Sequence, residues 1–212
     1  EENYTELGLS ADYIGYYAIT NAGNLYWFAE KVDNENAAYK TAKVVLTADI
    51  TVNTGTMDAN TTGAREWNPI GYWGNSRDYA AFNGTFDGNN KKISGLYVNN
   101  TDNTTGRSVA LIAETESGAL VKNVTVTNTW FHGYGQVAGI VGDNAGTITG
   151  CVSEASLSCT WSYIGGMAGW NEGTITGCIN RGTIAGKYNT SGGIAGHNAG
   201  TVELCGNEGN IS

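Results

Sequence analysis

Short apolar runs alternate with Gly and Asn along the last third of the chain. Three blocks repeat one pattern at a constant spacing of 27 residues: GIVGDNAGTITGC at 139–151, GMAGWNEGTITGC at 166–178 and GIAGHNAGTVELC at 193–205. The runs between the Asn-x-Gly turns are rich in Thr, Ile and Val, and they are too short for an amphipathic helix. Each block therefore predicts short strands joined by tight corners.

A unit of this length cannot bury its own apolar face, so it becomes stable by stacking on copies of itself. The sequence predicts an all-β fold, a right-handed parallel β-helix (β-solenoid) with about five coils of ~27 residues. Equivalent residues of successive coils would then lie over one another, about 4.8 Å apart.

This register predicts columns of equivalent side chains. The apolar columns are Ile140, Met167 and Ile194; Ile148, Ile175 and Val202; and Trp130, Leu157, Ile184 and Ile211. The polar columns are the corner amides Asn144, Asn171 and Asn198 and the alternating charges Glu154, Arg181 and Glu208. Because opposite charges on adjacent strands attract, the last column supports the register.

Three of the four cysteines, Cys151, Cys178 and Cys205, fall in one column. We interpret them as a row of small buried hydrophobic side chains, although disulfides along the row remain open. Cys159 has no cysteine above or below it, because His132 and Gly186 hold its register.

The first half of the chain is less regular. Residues 16–35 predict a strand and a short N-terminal capping helix, residues 43–136 irregular coils with long loops, and residues 137–212 the regular repeats, all in one domain. In the helix, Thr20 or Asn21 is the expected cap, and the apolar stripe consists of Leu25, Phe28, Ala29 and Val32. In the irregular coils, Ile93 and Leu96 are assigned the places of Ile148 and Cys151, and Leu120 and Val124 are expected to face inward.

Composition narrows the classes of function. The formal net charge is −9 with no basic cluster, which argues against nucleic acid and anionic membranes as partners. No run of about 18 apolar residues is present, so we expect no membrane insertion. The chain opens at Glu1 without a signal peptide, and we expect it to be a mature or excised fragment of a larger protein.

Candidate chemistry is sparse. A polysaccharide-cleaving β-helix needs clustered carboxylates, but in the predicted register Asp143 is followed by Trp170 and His197. His132 and His197 lie in different registers, so we predict no catalytic residues, no metal site and no cofactor. Trp170 and His197 are interpreted as an incidental pair.

The best candidate for ligand binding is aromatic. Tyr134, Trp161 and Tyr188 share a register at one corner and would form a strip of stacked rings for a sugar face or a partner protein. The alternative is a self-stabilising stack that binds nothing. Tyr72, Trp73 and Tyr79 form a second candidate contact site in a loop, which Trp67 and Pro69 are expected to hold to the core.

Three pieces of the chain carry a family resemblance. They are YAITNAGNLYWFAEKV followed by VVLTADI, WNPIG followed by GTFDGNNKKISGLYV, and the G-[LIMV]-x-G cores at 139–142, 166–169 and 193–196. In this order they resemble bacterial cell-surface, adhesin-like proteins with GLUG-motif repeats. The resemblance implies an extracellular β-helical module with structural glycines and no catalytic residues; similar modules also stand beside catalytic domains in secreted peptidases.

The hypothesis from sequence is therefore a non-enzymatic, extracellular, adhesin-like module for cell-surface attachment, which binds a glycan or a protein or acts as a spacer. Its expected partners include further domains of the same parent chain. The main alternative is a carbohydrate-active β-helix lyase or hydrolase, or the accessory domain of one. A third hypothesis is an ice-binding solenoid, which would use the short Thr-x-Thr array at Thr147, Thr149, Thr174, Thr176 and Thr201.

Overall fold

The computed structural model describes residues 7–33, 37–71, 80–100, 108–186 and 190–212. It is a parallel β-solenoid of about 6 turns, which confirms the predicted fold class and adds a turn to the predicted coil count. The first described element is a 3-10 turn at Ala11–Tyr13, followed by the first strand.

The helices are α1 (Ala22–Asp33) and α2 (Ala37–Lys40). The strands are β1 (Tyr17–Ile19), β2 (Lys43–Leu46), β3 (Ile50–Thr51), β4 (Thr85–Ser94), β5 (Tyr97–Asn99), β6 (Ile112–Thr115), β7 (Leu120–Gly133), β8 (Val137–Ala138), β9 (Val141–Asn144), β10 (Thr147–Thr149), β11 (Val152–Cys159), β12 (Tyr163–Gly165), β13 (Ala168–Asn171), β14 (Thr174–Thr176), β15 (Ile179–Asn180), β16 (Thr183–Gly186), β17 (Thr190–Gly192), β18 (Ala195–Asn198), β19 (Thr201–Glu203) and β20 (Gly206–Asn207).

Three sheets form the walls of the solenoid. The main path of the largest sheet runs β1-β2-β4-β7-β10-β14-β19 along the axis, with further strands beside it. The second sheet has the order β18-β13-β9-β6, and the third has the order β17-β12-β8. Strand partners come from successive turns, so each wall is a ladder of equivalent residues.

The regular repeats confirm the predicted register. Ile148 pairs with Ile175, and Ile175 pairs with Val202. Ile148 and Ile175 are fully buried, as are Ile140 and Met167 of the neighbouring apolar column. The core is therefore a set of apolar columns along the axis, which extra turns lengthen without widening.

The predicted column that begins with Trp130 is wrong at its first member. Leu157 pairs with Phe131, whereas Trp130 pairs with Ser156, because the register shifts between Glu154 and Ser156. β7 holds one more residue than β11 over this stretch, which is a β-bulge. The column continues correctly from Leu157 to Ile184 and Ile211.

The same bulge changes the assignment around Cys159. Gly133, not His132, lies beside Cys159, and Gly186 follows on the other side as predicted. His132 instead pairs with Ser158. A fixed 27-residue step does not count this insertion, although the buried positions of β7 change phase there, from Val126 to Thr129 and Phe131.

The predicted inward places of the irregular coils also need correction. Phe86, not Ile93, shares the column of Ile148, through Val121 of the intervening strand. Ile93 pairs with Val126. The register of β4 against β7 shifts between Asp87 and Lys91, where Asn89 and Asn90 adopt positive φ.

Two further residues of these coils were assigned to the wrong places. Lys91, not Leu96, lies beside Val124, although Leu96 is itself buried. Val121 is buried where Leu120 was expected to face inward, while Val124 is buried as predicted.

Helix α1 confirms the predicted stripe, since Leu25, Phe28, Ala29 and Val32 are its buried residues. Asn21 is the cap: its Oδ1 accepts a hydrogen bond from the backbone N–H of Asn24 at 3.0 Å. The helix does not precede the coils, however, because β1, which comes before it in the chain, already pairs with β2, which comes after it. It lies between β1 and β2 in the chain, and the Phe28 ring lies 6.0 Å from that of Phe82.

The corner amides form the predicted column. Asn144 Nδ2 donates to Asn171 Oδ1 at 2.7 Å, and Asn171 Nδ2 donates to Asn198 Oδ1 at 2.7 Å. The hydroxyl of Thr115 donates to Asn144 Oδ1 at 2.9 Å at the other end. Asn144 and Asn171 are buried, and because buried amides need partners, these bonds help to fix the register.

The cysteines are free thiols, and Cys151 and Cys178 are buried. The Sγ of Cys178 accepts the backbone N–H of Cys151 at 3.4 Å, and the Sγ of Cys205 accepts that of Cys178 at 3.4 Å. Burial raises the pKa of Cys151, so its thiol stays protonated. This arrangement agrees with a structural row of small side chains.

Candidate functional site

The predicted aromatic strip is present in the part that the structure describes. The rings of Tyr134 and Trp161 are stacked, with centroids 6.4 Å apart and planes 6° apart. Trp161 lies between β11 and β12 and is 62% exposed, whereas Tyr134 is half-buried. We call this pair the aromatic strip. Tyr188, Tyr72, Trp73 and Tyr79, the other predicted contact residues, lie outside the described residues.

The loop anchor behaves as predicted. Trp67 is buried, and its Nε1 donates to the carbonyl oxygens of Ala110 at 3.1 Å and Leu111 at 3.2 Å. The backbone N–H of Ile70 also donates to Leu111 O, at 3.1 Å. These bonds attach residues 67–70 to the next turn of the solenoid.

A second group of side chains lies on the outer face of the sheet β6-β9-β13-β18. Glu114, Asp143, Trp170 and His197 occupy equivalent places on these four strands and are all half-buried. The sequence placed the last three in one column but missed Glu114. Glu114 does not lie 27 residues before Asp143. It could have been found only by aligning the degenerate coil with the regular repeats and allowing for its different length.

Three rings meet at the C-terminal end of this column. Those of Trp170 and His197 are stacked, with centroids 3.8 Å apart and planes 24° apart. Tyr163, from β12 of the adjoining sheet, lies 4.9 Å from Trp170 and 5.4 Å from His197. We call Tyr163, Trp170 and His197 the ring platform; the sequence did not identify Tyr163 as part of it.

Asp143 and Glu114, on the two turns before Trp170, have raised pKa values. Burial, with a smaller contribution from Glu172, raises the pKa of Asp143 to about 6. Burial raises the pKa of Glu114 too, followed by repulsion from Asp143 and Glu116. Stacked acids of like charge in a half-buried wall disfavour their own ionisation.

Ion pairs elsewhere in the described residues do not neutralise these acids. Lys122 Nζ lies 3.1 Å from Asp87, and Arg181 Nε lies 2.8 Å from Glu208, the latter from the predicted charge column. Asp87 is fully buried and also accepts a bond from the Tyr13 hydroxyl at 3.1 Å, so its role is structural.

A third group lines a cavity of about 360 Å³ that includes His132, Ser158 and Cys159. Burial lowers the pKa of His132 and raises that of Cys159, so both groups are held in their neutral forms. The Cys159 thiol donates to Gly135 O at 3.2 Å and faces the core. This geometry favours a packed thiol over a nucleophile. No group of three or more metal-ligating side chains occurs among the described residues.

Comparison with known proteins supports the fold. No family model matches the chain. A crystal structure of a "putative immunoglobulin A1 protease" from Bacteroides ovatus is similar with a TM-score of 0.52 and 16% identity, covering 93% of this chain and 84% of that one. At this identity the similarity concerns the fold alone.

One curated protein is similar in sequence. It is halomucin from Haloquadratum walsbyi, with 30% identity over 128 residues, which are 60% of this chain. The chain thus matches only 1% of the length of halomucin. In the described parts of the chain, the helices are too short or too polar to cross a membrane.

Proposed function

We propose that this chain is a non-enzymatic, extracellular, adhesin-like module of a surface protein, which attaches to a glycan or a protein through the aromatic strip. The exposure of Trp161, stacked parallel on Tyr134, is the observation that carries the proposal. A large ring that remains exposed forgoes burial worth about 1.5–3 kcal/mol, so a contact surface gives it a role. The resemblance to GLUG-motif surface proteins and the similarity to halomucin support the location.

The strip suits this role because its geometry is fixed by the scaffold. Tyr134 and Trp161 lie at the same corner of successive turns, and flat rings held in this way can contact the apolar faces of sugars with little loss of side-chain entropy. The centroid distance exceeds the rung spacing of about 4.8 Å, so the stack is offset and part of the Trp161 face is left uncovered.

The test is binding of Trp161→Ala on a glycan array and to whole cells. We expect a loss of about tenfold or more, because hot-spot aromatic residues contribute about 2 kcal/mol or more. The matched control is Trp27→Ala, which removes a 42% exposed indole from helix α1 and should leave binding unchanged. Unchanged binding by the Trp161 variant would disprove the role of the strip.

A second candidate function, a carbohydrate-active enzyme, is favoured by one observation. Glu114 and Asp143 lie on neighbouring strands at equivalent places, and paired carboxylates with raised pKa values can serve as acid and base. Release of reducing ends from acidic polysaccharides, abolished in Glu114→Gln and Asp143→Asn, would support it. Binding of the polysaccharide without release of reducing ends would favour the non-enzymatic proposal.

A further inference from the structure

We propose that the ring platform, together with Asp143 and Glu114, is a binding site for an organic ammonium group. The site lies mainly on the sheet β6-β9-β13-β18, whereas the aromatic strip lies at the corner between β11 and β12, so the site stands independently of the proposed attachment surface. Its argument rests on one ring face and on two carboxylates that form no ion pair with the described residues.

The orientation of Trp170 is fixed from two sides. His197 covers one ring face at 3.8 Å, and the indole Nε1 donates to Glu172 Oε1 at 3.2 Å. His197 lies one turn toward the C-terminus, so the opposite face of the indole is directed toward the turn of Asp143. Tyr163 lies beside the indole in a T-shaped arrangement, with ring planes at 76°.

Such a niche attracts cations through two effects. The face of an indole is electron-rich and binds ammonium groups within about 6 Å of its centroid. The carboxylates of Asp143 and Glu114 add negative charge on the next two turns, and Glu172 and Glu116 lie close enough to repel them. A bound cation would relieve this repulsion.

The side chains of this niche favour an organic cation over a metal ion. The described residues hold no cluster of three or more metal-ligating groups, and rings occupy half of the column. Hard metal ions require several oxygen ligands, which an indole and a phenol ring cannot replace. An ammonium group on a carbon chain or sugar uses both the charge and the ring face. It could come from a deacetylated amino sugar or from a lysine side chain.

The experiment uses the whole chain and titrates three probes by calorimetry at pH 7.5. The probes are a glucosamine tetramer, its N-acetylated counterpart and a tetralysine peptide. We expect the two cationic probes to bind, the acetylated sugar to bind at least tenfold more weakly, and added salt to weaken binding. The stronger of the two cationic probes identifies the source of the ammonium group.

Variants locate the site. Trp170→Ala and Asp143→Asn should each weaken binding by about tenfold, whereas the exposed controls Trp27→Ala and Glu203→Gln should leave it unchanged. Asp143→Asn is nearly isosteric, so it keeps the test valid if the tryptophan variant unfolds. No binding of either cationic probe at millimolar concentration, equal binding of acetylated and free sugars, or full affinity in Asp143→Asn would overturn the inference.

Discussion

One column of backbone conformations shows how a single residue can depart from the repeat. Asn123, Gly150, Gly177 and Leu204 hold equivalent corners, and all four have positive φ, at 54°, 61°, 62° and 53° in that order. Gly and Asn tolerate this conformation, whereas it strains a leucine. The two glycines are visible in the sequence, whereas the need for positive φ at Leu204 emerges only from the coordinates.

We predict that Leu204→Gly stabilises the protein by about 1 kcal/mol, because relief of the left-handed strain outweighs the loss of a side chain that is 87% exposed. Urea unfolding followed by tryptophan fluorescence provides the measurement. The reciprocal change, Gly177→Leu, should destabilise by a similar or larger amount. A loss of stability in Leu204→Gly would show that the leucine makes contacts that the strain argument omits.

At the scale of elements, regular repeats were predictable and insertions were not. The columns through Ile148 and Asn144 follow directly from the 27-residue spacing, and the stripe of α1 follows from its helical period. The bulge in β7 and the paired asparagines in β4 add residues that a fixed 27-residue spacing does not count, so Trp130 and Ile93 were assigned to wrong columns. Tyr163 was missed because it lies on a different sheet from Trp170 and His197, and each predicted column follows a single sheet.

Helix α1 is predicted to stabilise the first turn through Phe28. Phe28→Ala removes a ring that is 1% exposed and packed edge-on against Phe82, and we expect a loss of about 3–5 kcal/mol. Thermal unfolding by circular dichroism measures the loss. Glu30→Ala, on the exposed side of the same helix, is the control and should change stability by less than about 0.5 kcal/mol.

At the scale of the whole molecule, the solenoid concentrates like charges on one wall. The chain carries a net charge of −9, and the column of Glu114 and Asp143 places two acids on consecutive turns. The raised pKa of Asp143 means that the folded chain binds more protons than the unfolded chain between its ordinary value of 3.8 and about 6. This contribution to stability is complete below pH 3.8 and is lost as the pH rises through 6.

We therefore predict that Asp143→Asn is more stable than the unmodified chain at pH 7.5, by on the order of 1 kcal/mol after allowance for solvent screening. The difference should vanish near pH 4, where Asp143 is protonated in the folded state. Urea unfolding at pH 4, 6 and 7.5 tests this, with Glu203→Gln as the exposed control. An advantage of the variant that does not change with pH would contradict the electrostatic cause.

The amide column has a sense of direction. Asn144 donates to Asn171, and Asn171 donates to Asn198, so every carboxamide dipole points the same way along the axis. Rotating the Asn171 amide by half a turn would set its Nδ2 against Asn144 Nδ2 and its Oδ1 against Asn198 Oδ1, so one reversal requires all three. The three amides therefore share one orientation. Each hydrogen bond in the column polarises the next and strengthens it.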